Sequence, residues 1–213
     1  MASAISYLLN PLILPPISFG LVGAHVGAPA GEVAWTIGVS TVFFMLVPLA
    51  YVASMVLRGE AESLEVRVRG KRTRPFLMGI VSYLVGMAVL ALSVEASTGL
   101  IVAIAALLPL NTAVMLLINL RWKISIHVTA LASFCSVLAF VAACVAPEAW
   151  PLAPADRNGL VELRHVAALL PLIPVLMWAR VRVGSHTTGQ VMAGALYGLV
   201  LPFSELWIVG LLA

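Results

Sequence analysis

The chain has 213 residues, of which 62% are hydrophobic and 10% charged, with a formal net charge of +3. With a mean hydropathy of +1.09, this composition excludes a soluble domain, which needs a far more charged surface. The apolar runs are long and lack the alternation of barrel strands. The expected fold is therefore all-α, a polytopic bundle of six to seven transmembrane helices making one domain over residues 1–213.

Seven runs come close to the ~20 residues that cross the hydrocarbon. They lie at roughly 5–24, 33–57, 75–95, 99–120, 126–146, 164–180 and 190–212. The first carries no Lys or Arg up to Asn10, and Pro11, Pro15 and Pro16 interrupt it. It reads as a broken or partly re-entrant span and not as a cleavable signal. The fifth contains both cysteines, Cys135 and Cys144, nine apart and without metal-ligand spacing, so they read as small apolar residues. The sixth has only 14 uncharged residues between His165 and Arg180 and needs snorkelling ends.

If all seven cross, loop 58–74, the return ending at 125 and segment 180–190 share one face. Ten of the twelve Lys and Arg lie there, and only Arg157 and Arg164 lie opposite. The positive-inside rule makes the basic face cytoplasmic, and the expected setting is a bacterial or archaeal cell membrane. Arg58, Arg69, Arg72 and Arg182 read as topology and lipid-head contacts. His25 and His165 fall on the opposite face as interfacial residues, while Trp122, Trp178 and Tyr51 read as interfacial aromatics beside the basic face. Asn111 and Glu205 lie inside spans, Glu205 near the far interface, where an uncharged or hydrogen-bonded state is the simpler expectation.

Three polar clusters converge on the basic face: "RVRGKRTRP", "RWKISIH" and "ARVRVGSHTTGQ". They supply several cations, two imidazoles and no local carboxylate. Guanidinium forks bind phosphate oxygens bidentately, and helix N-termini add backbone donors. One imidazole can attack phosphorus while the other protonates the leaving oxygen. The histidines lack Asp, Glu or Cys neighbours at ligand spacing, so neither a metal nor any other cofactor is expected.

These clusters resemble the three motifs of the type 2 phosphatidic-acid phosphatase superfamily, membrane lipid phosphatases related to the vanadium haloperoxidases. That pattern runs basic-x6-Arg-Pro, then Pro-Ser-Gly-His, then Ser-Arg-x5-His-x3-Asp. Here Arg67, Arg74 and Pro75 match the first motif, Ser125 and His127 the second, and Arg180 and His186 the third. The resemblance covers 67–190. It implies His186 as nucleophile, His127 as general acid, and Arg67, Arg74 and Arg180 as phosphate ligands, with Ser125, Lys71 and Lys123 assisting. Gln190 stands where the family has Asp: it can accept the imidazole's Nδ1–H but brings no charge. Ile126 replaces a glycine and crowds the backbone's approach to phosphate.

The expected function is removal of a terminal phosphate from a lipid phosphate or diphosphate, phospholipid or isoprenoid, through a phosphohistidine. The partners expected are that substrate and membrane lipids, with no nucleic acid. A catalytically impaired lipid-phosphate binder and an anionic-lipid transporter are the alternatives. The transporter needs a polar path at mid-membrane depth, for which Asn111 is a thin candidate.

Overall fold

The computed structural model describes residues 1–66, 68–93, 99–145 and 160–212. Among them the fold is all-α, with seven helical segments long and apolar enough to cross a membrane. They run Ala2–His25, Ala30–Leu57, Arg69–Ser93, Gly99–Arg121, Ile126–Cys144, Leu163–Arg182 and Thr188–Leu211. The fifth is the central helix, 61% buried against 33% or less for every other span. The third shows how the faces sort. Leu77, Val81, Leu84 and Val85 point outward, while Phe76, Gly79, Ser82, Gly86 and Leu90 are buried. Small and polar residues inside with aliphatic residues outside is the pattern of a bundle bathed in lipid.

Proline shapes three spans. In the first, a helix Ala2–Leu8 stops, Asn10 Oδ1 accepts the Leu12 N–H at 3.0 Å, and Pro11 opens a 3₁₀ turn leading into Leu14–His25. The segment is a broken helix, as Pro11 requires. In the second, a π-helical stretch Thr41–Leu46 precedes Pro48. In that register the Phe43 carbonyl faces residue 48, which has no N–H, and Ser82 Oγ of the third span donates to it at 2.5 Å. Gly86 makes room here, because a Cβ would lie 2.6 Å from the Phe44 ring. In the seventh, Pro202 interrupts the ladder. Ser136 Oγ of the fifth span donates to Leu199 O at 2.9 Å and accepts the Phe203 N–H at 3.0 Å. A side chain from one span thus restores the bonds that proline removes from another.

The seventh span lies very close to the fifth. A Cβ on Gly194 would sit 3.0 Å from the Ser125 carbonyl, and one on Gly198 2.7 Å from the Ala132 Cβ. Gln190, Gly194 and Gly198 form one i, i+4 row, so the row that bears Gln190 is pressed against the helix that begins beside His127.

The two ends of the bundle differ in kind. At one end Ser6, Glu65, Arg72, Lys123 and Arg180 make contacts across loops. At the other, His25 is buried: Nδ1 accepts the Val161 N–H and Nε2 donates to Val145 O, each at 3.1 Å. It is a structural brace and not the interfacial side chain expected. His165 is exposed, and its Nδ1 accepts the Glu162 N–H in a capping box. Between the fourth and seventh spans, Asn111 donates to Glu205 Oε2 at 2.7 Å and accepts from Tyr197 Oη at 2.6 Å, all three half-buried. Arg157, one of the two basic residues placed on this far face, lies outside the described residues.

Candidate active site

The polar end is assembled from four stretches of chain. The sixth span ends in a Schellman cap. Gly184, at φ +67°, lets Ser185 N–H reach Arg180 O at 3.2 Å and reverses the chain. Four residues later the seventh span begins at Thr188, leaving His186 between the two helices. Lys123 Nζ donates to Ser185 O at 2.6 Å, tying this turn to the stretch that starts the fifth span. Ser125 occupies the N-cap position of that span without a side-chain capping bond, and His127 stands in its first turn.

His127 and His186 border the same cavity, about 220 Å³ in volume, together with Arg72 and Glu65. Its remaining wall is mostly apolar, with Pro11, Leu12, Pro75, Phe76, Met115 and Ile126 beside the polar groups of Asn10 and Thr112. A second cavity of about 180 Å³ adjoins it, sharing Tyr83, Thr112, Met115 and Ile126.

His186 is buried, and its ring is fixed. Its Nδ1 lies 3.1 Å from Gln190 Oε1, and the Thr187 N–H donates to the same oxygen at 3.2 Å. Two contacts converge on Oε1, and the backbone one is necessarily a donor. The amide oxygen is thereby held toward the ring, and Nδ1 must carry the proton. The lone pair then sits on Nε2. Burial, with Arg72, Lys123 and Arg180 nearby, pushes the imidazole down to about 3, against a small opposing pull from Gln190. At neutral pH His186 is uncharged.

The basic residues separate into two groups. Arg180 is 1% exposed and donates through Nη1 to Ser6 Oγ and to Glu65 Oε1, the latter at 2.7 Å. Arg72 is buried too, its Nε donating to Val66 O at 2.8 Å. Lys123 completes this cluster beside His186. Arg74 and Lys71 point elsewhere: both are exposed, 3.7 Å from Glu60 and 2.7 Å from Glu62 respectively. Arg67 lies outside the described residues. Of the arginines expected on the phosphate, the structure brings in Arg180 and leaves Arg74 outside. Arg72, read from sequence as a topology residue, takes a place in the cavity wall. Arg69 donates to Leu120 O at 2.6 Å and caps the fourth span.

Glu65 is the residue sequence reasoning missed. It brings a carboxylate into a cluster expected to hold none, from a loop in which Glu60, Glu62 and Glu65 precede a basic run and nothing marks one of the three as buried. Three further polar atoms near the cluster, Arg180 Nε, Ser125 Oγ and Ser185 Oγ, are buried without a hydrogen bond to protein. Buried donors of this kind fit a ligand that supplies acceptor oxygens. Among the described residues no three His, Cys, Asp or Glu side chains gather to hold a metal ion.

Comparisons with known family models, with curated proteins and with solved structures give no significant match to this chain.

Proposed function

We propose that this integral membrane protein is a metal-independent phosphatase that removes a terminal phosphate from a lipid phosphate or diphosphate. One observation carries the reading. Two imidazoles border one cavity at the polar end of the bundle, and hydrogen bonding gives one of them the tautomer a nucleophile needs. Arg72 in the wall, with Arg180 and Lys123 close by, supplies the positive charge that a phosphoryl group in transfer requires. The apolar remainder of the wall suits a substrate whose head enters from lipid.

In this mechanism His186 Nε2 attacks phosphorus as the bond to the leaving oxygen breaks, and His127, which must enter this step as the imidazolium, gives that oxygen its proton and is left neutral. The phosphohistidine keeps its Nδ1–H on Gln190. Water, losing a proton to His127, then attacks phosphorus, and phosphate departs with neutral His186 restored. The bias of Lys and Arg to this end of the bundle supports a cytoplasmic orientation.

The test is phosphate release from a panel of lipid phosphates and diphosphates by protein in detergent micelles. His186→Ala and His127→Ala are each expected to abolish release, and EDTA to leave the wild type active. Full activity in the His186 variant would sink the mechanism.

One observation favours a second reading, an impaired lipid-phosphate binder: the residue on Nδ1 is an uncharged amide. The same panel distinguishes the two, because a binder retains lipid phosphate without turnover. A transporter draws less support, since the mid-membrane polar residues Asn111, Tyr197 and Glu205 are bonded to one another.

A further inference from the structure

The two buried arginines of the cluster are both engaged by one short piece of chain. Glu65 Oε1 takes Arg180 Nη1 at 2.7 Å, with Ser6 Oγ also donating to it at 3.4 Å. The next residue, Val66, gives its carbonyl to Arg72 Nε at 2.8 Å. A carboxylate and a carbonyl therefore meet the two guanidinium groups that a phosphate would otherwise approach. The carboxylate stands on the cavity side: Glu65 borders the cavity that holds both histidines, and Arg180 does not.

The backbone of this strap is strained where it makes these contacts. Val66 is the only non-glycine residue with positive φ among the described residues, at +41°. A β-branched side chain is poorly suited to that region and persists there only when its surroundings hold it. What holds it is visible. Val66 is buried against Met55 and Ala61, and Arg72 and Arg180 grip it and its neighbour. The strap begins at a second Schellman turn, Gly59 at φ +73°, where Glu60 N–H reaches Met55 O at 2.8 Å.

We propose that Glu65 is an internal anion that occupies Arg180 in competition with phosphate, and that the strap 58–66 opens when a phosphate group takes its place. The proposal rests on reading this cluster as a phosphate site and adds the regulation of that site. The ligand class is a phosphate mono- or dianion, presented by a lipid head group or as free inorganic phosphate. A tetrahedral dianion offers Arg180, Arg72 and Lys123 more acceptor oxygens than one carboxylate, and it can also reach the unbonded Arg180 Nε. Release of Val66 from its left-handed conformation favours the open strap. A site that is closed on itself most of the time binds its ligand more weakly by the fraction that is open.

The experiment measures phosphate binding and strap exposure together. Calorimetry with inorganic phosphate on wild type and Glu65→Gln in micelles is expected to show about tenfold tighter binding in the variant, the closed fraction having been removed. Glu62→Gln, which removes an exposed carboxylate of the same strap, is expected to bind as wild type does. Hydrogen exchange on the wild type, which needs no variant to fold, is expected to rise across 58–66 on adding inorganic phosphate or a short-chain phosphatidic acid. A rise with both ligands assigns the site to phosphate itself, and a rise with the lipid alone assigns it to the head group on its membrane anchor. Exchange unchanged or slowed by both ligands overturns the proposal, as does unchanged or weaker phosphate binding in Glu65→Gln. Turnover with equal KM in wild type and Glu65→Gln removes this proposal and leaves the phosphatase reading standing. Tighter phosphate binding without turnover does the reverse.

Discussion

His186 and Gln190 stand one helical turn apart, and the ring donates Nδ1–H to the amide oxygen at 3.1 Å. The Thr187 N–H shares that oxygen, so orientation is secured without charge. Gln190→Glu keeps the reach and adds the charge. It should raise the His186 pKa from about 3 and move the acidic limb of the pH–rate profile upward by roughly one to two units. Gln190→Leu should lower kcat by on the order of 10²-fold or more while leaving KM nearly unchanged, since it frees the ring to take the wrong tautomer. An unmoved acidic limb in Gln190→Glu counts against His186 as the titrating nucleophile.

Arg72 and Arg74 make opposite predictions although they are two residues apart. Arg72→Gln should reduce kcat/KM by at least about 10²-fold. Arg74→Gln, which gives up only an exposed contact to Glu60 at 3.7 Å, should remain within a few-fold of wild type. Phosphate-release kinetics of the two variants, with detergent elution profiles to confirm folding, check this. A greater loss from Arg74→Gln would mean that the loop rearranges to bring Arg74 onto substrate.

Acid should weaken the fold through His186. In the unfolded chain its imidazole takes up a proton near pH 6.5, whereas in the fold it resists protonation until about pH 3. The unfolded state therefore binds more protons throughout that interval, and stability falls as pH drops from 6.5 toward 3. Glu62, held below its ordinary 4.5 mainly by its hydrogen bond from Lys71, contributes stability that is lost only at lower pH. The span from 6.5 to 4.5 thus lies clear of Glu62. Thermal unfolding in detergent should show Tm falling with pH in this window, and His186→Gln should flatten the slope. Equal slopes would mean that the ring is solvated in the folded state.

The helix pair that sets the distance between the histidines is tested at Gly198. A side chain there meets the Ala132 Cβ and the Ser133 backbone. Gly198→Leu should cost roughly 1–3 kcal/mol by overpacking and should depress turnover by separating His186 from His127. Gly38, whose added Cβ meets nothing within 4 Å, is the control: Gly38→Leu should leave both Tm and turnover close to wild type. Loss of stability without loss of turnover would show that the site tolerates the displacement.

The seven spans were legible because hydropathy is a local property: each run reports its own burial in lipid, and the boundaries differ from the structure by a few residues. The pairing of His186 with Gln190 was legible for a similar reason, since four residues make one helical turn. The arginines were not. Residues advance by about 100° each around a helix, so Arg72 and Arg74 face directions about 200° apart. Only the docking of the 3₁₀ turn Arg69–Arg72 onto the bundle decides which one looks inward. Glu65 was hidden for another reason. Its partners Ser6 and Arg180 are 59 and 115 residues away, and nothing among Glu60, Glu62 and Glu65 marks the one that will be buried.

Ser136 carries a consequence for how the molecule moves. A proline in the middle of a long apolar helix is ordinarily a joint, free to flex because the bonds across it are missing. Here a hydroxyl from the central helix bridges the break on both sides. The helix that begins just after His186 is locked at the one place where it would have bent. Movement at the polar end is then left to the loops and the other spans, and the seventh helix beneath them behaves as an anvil.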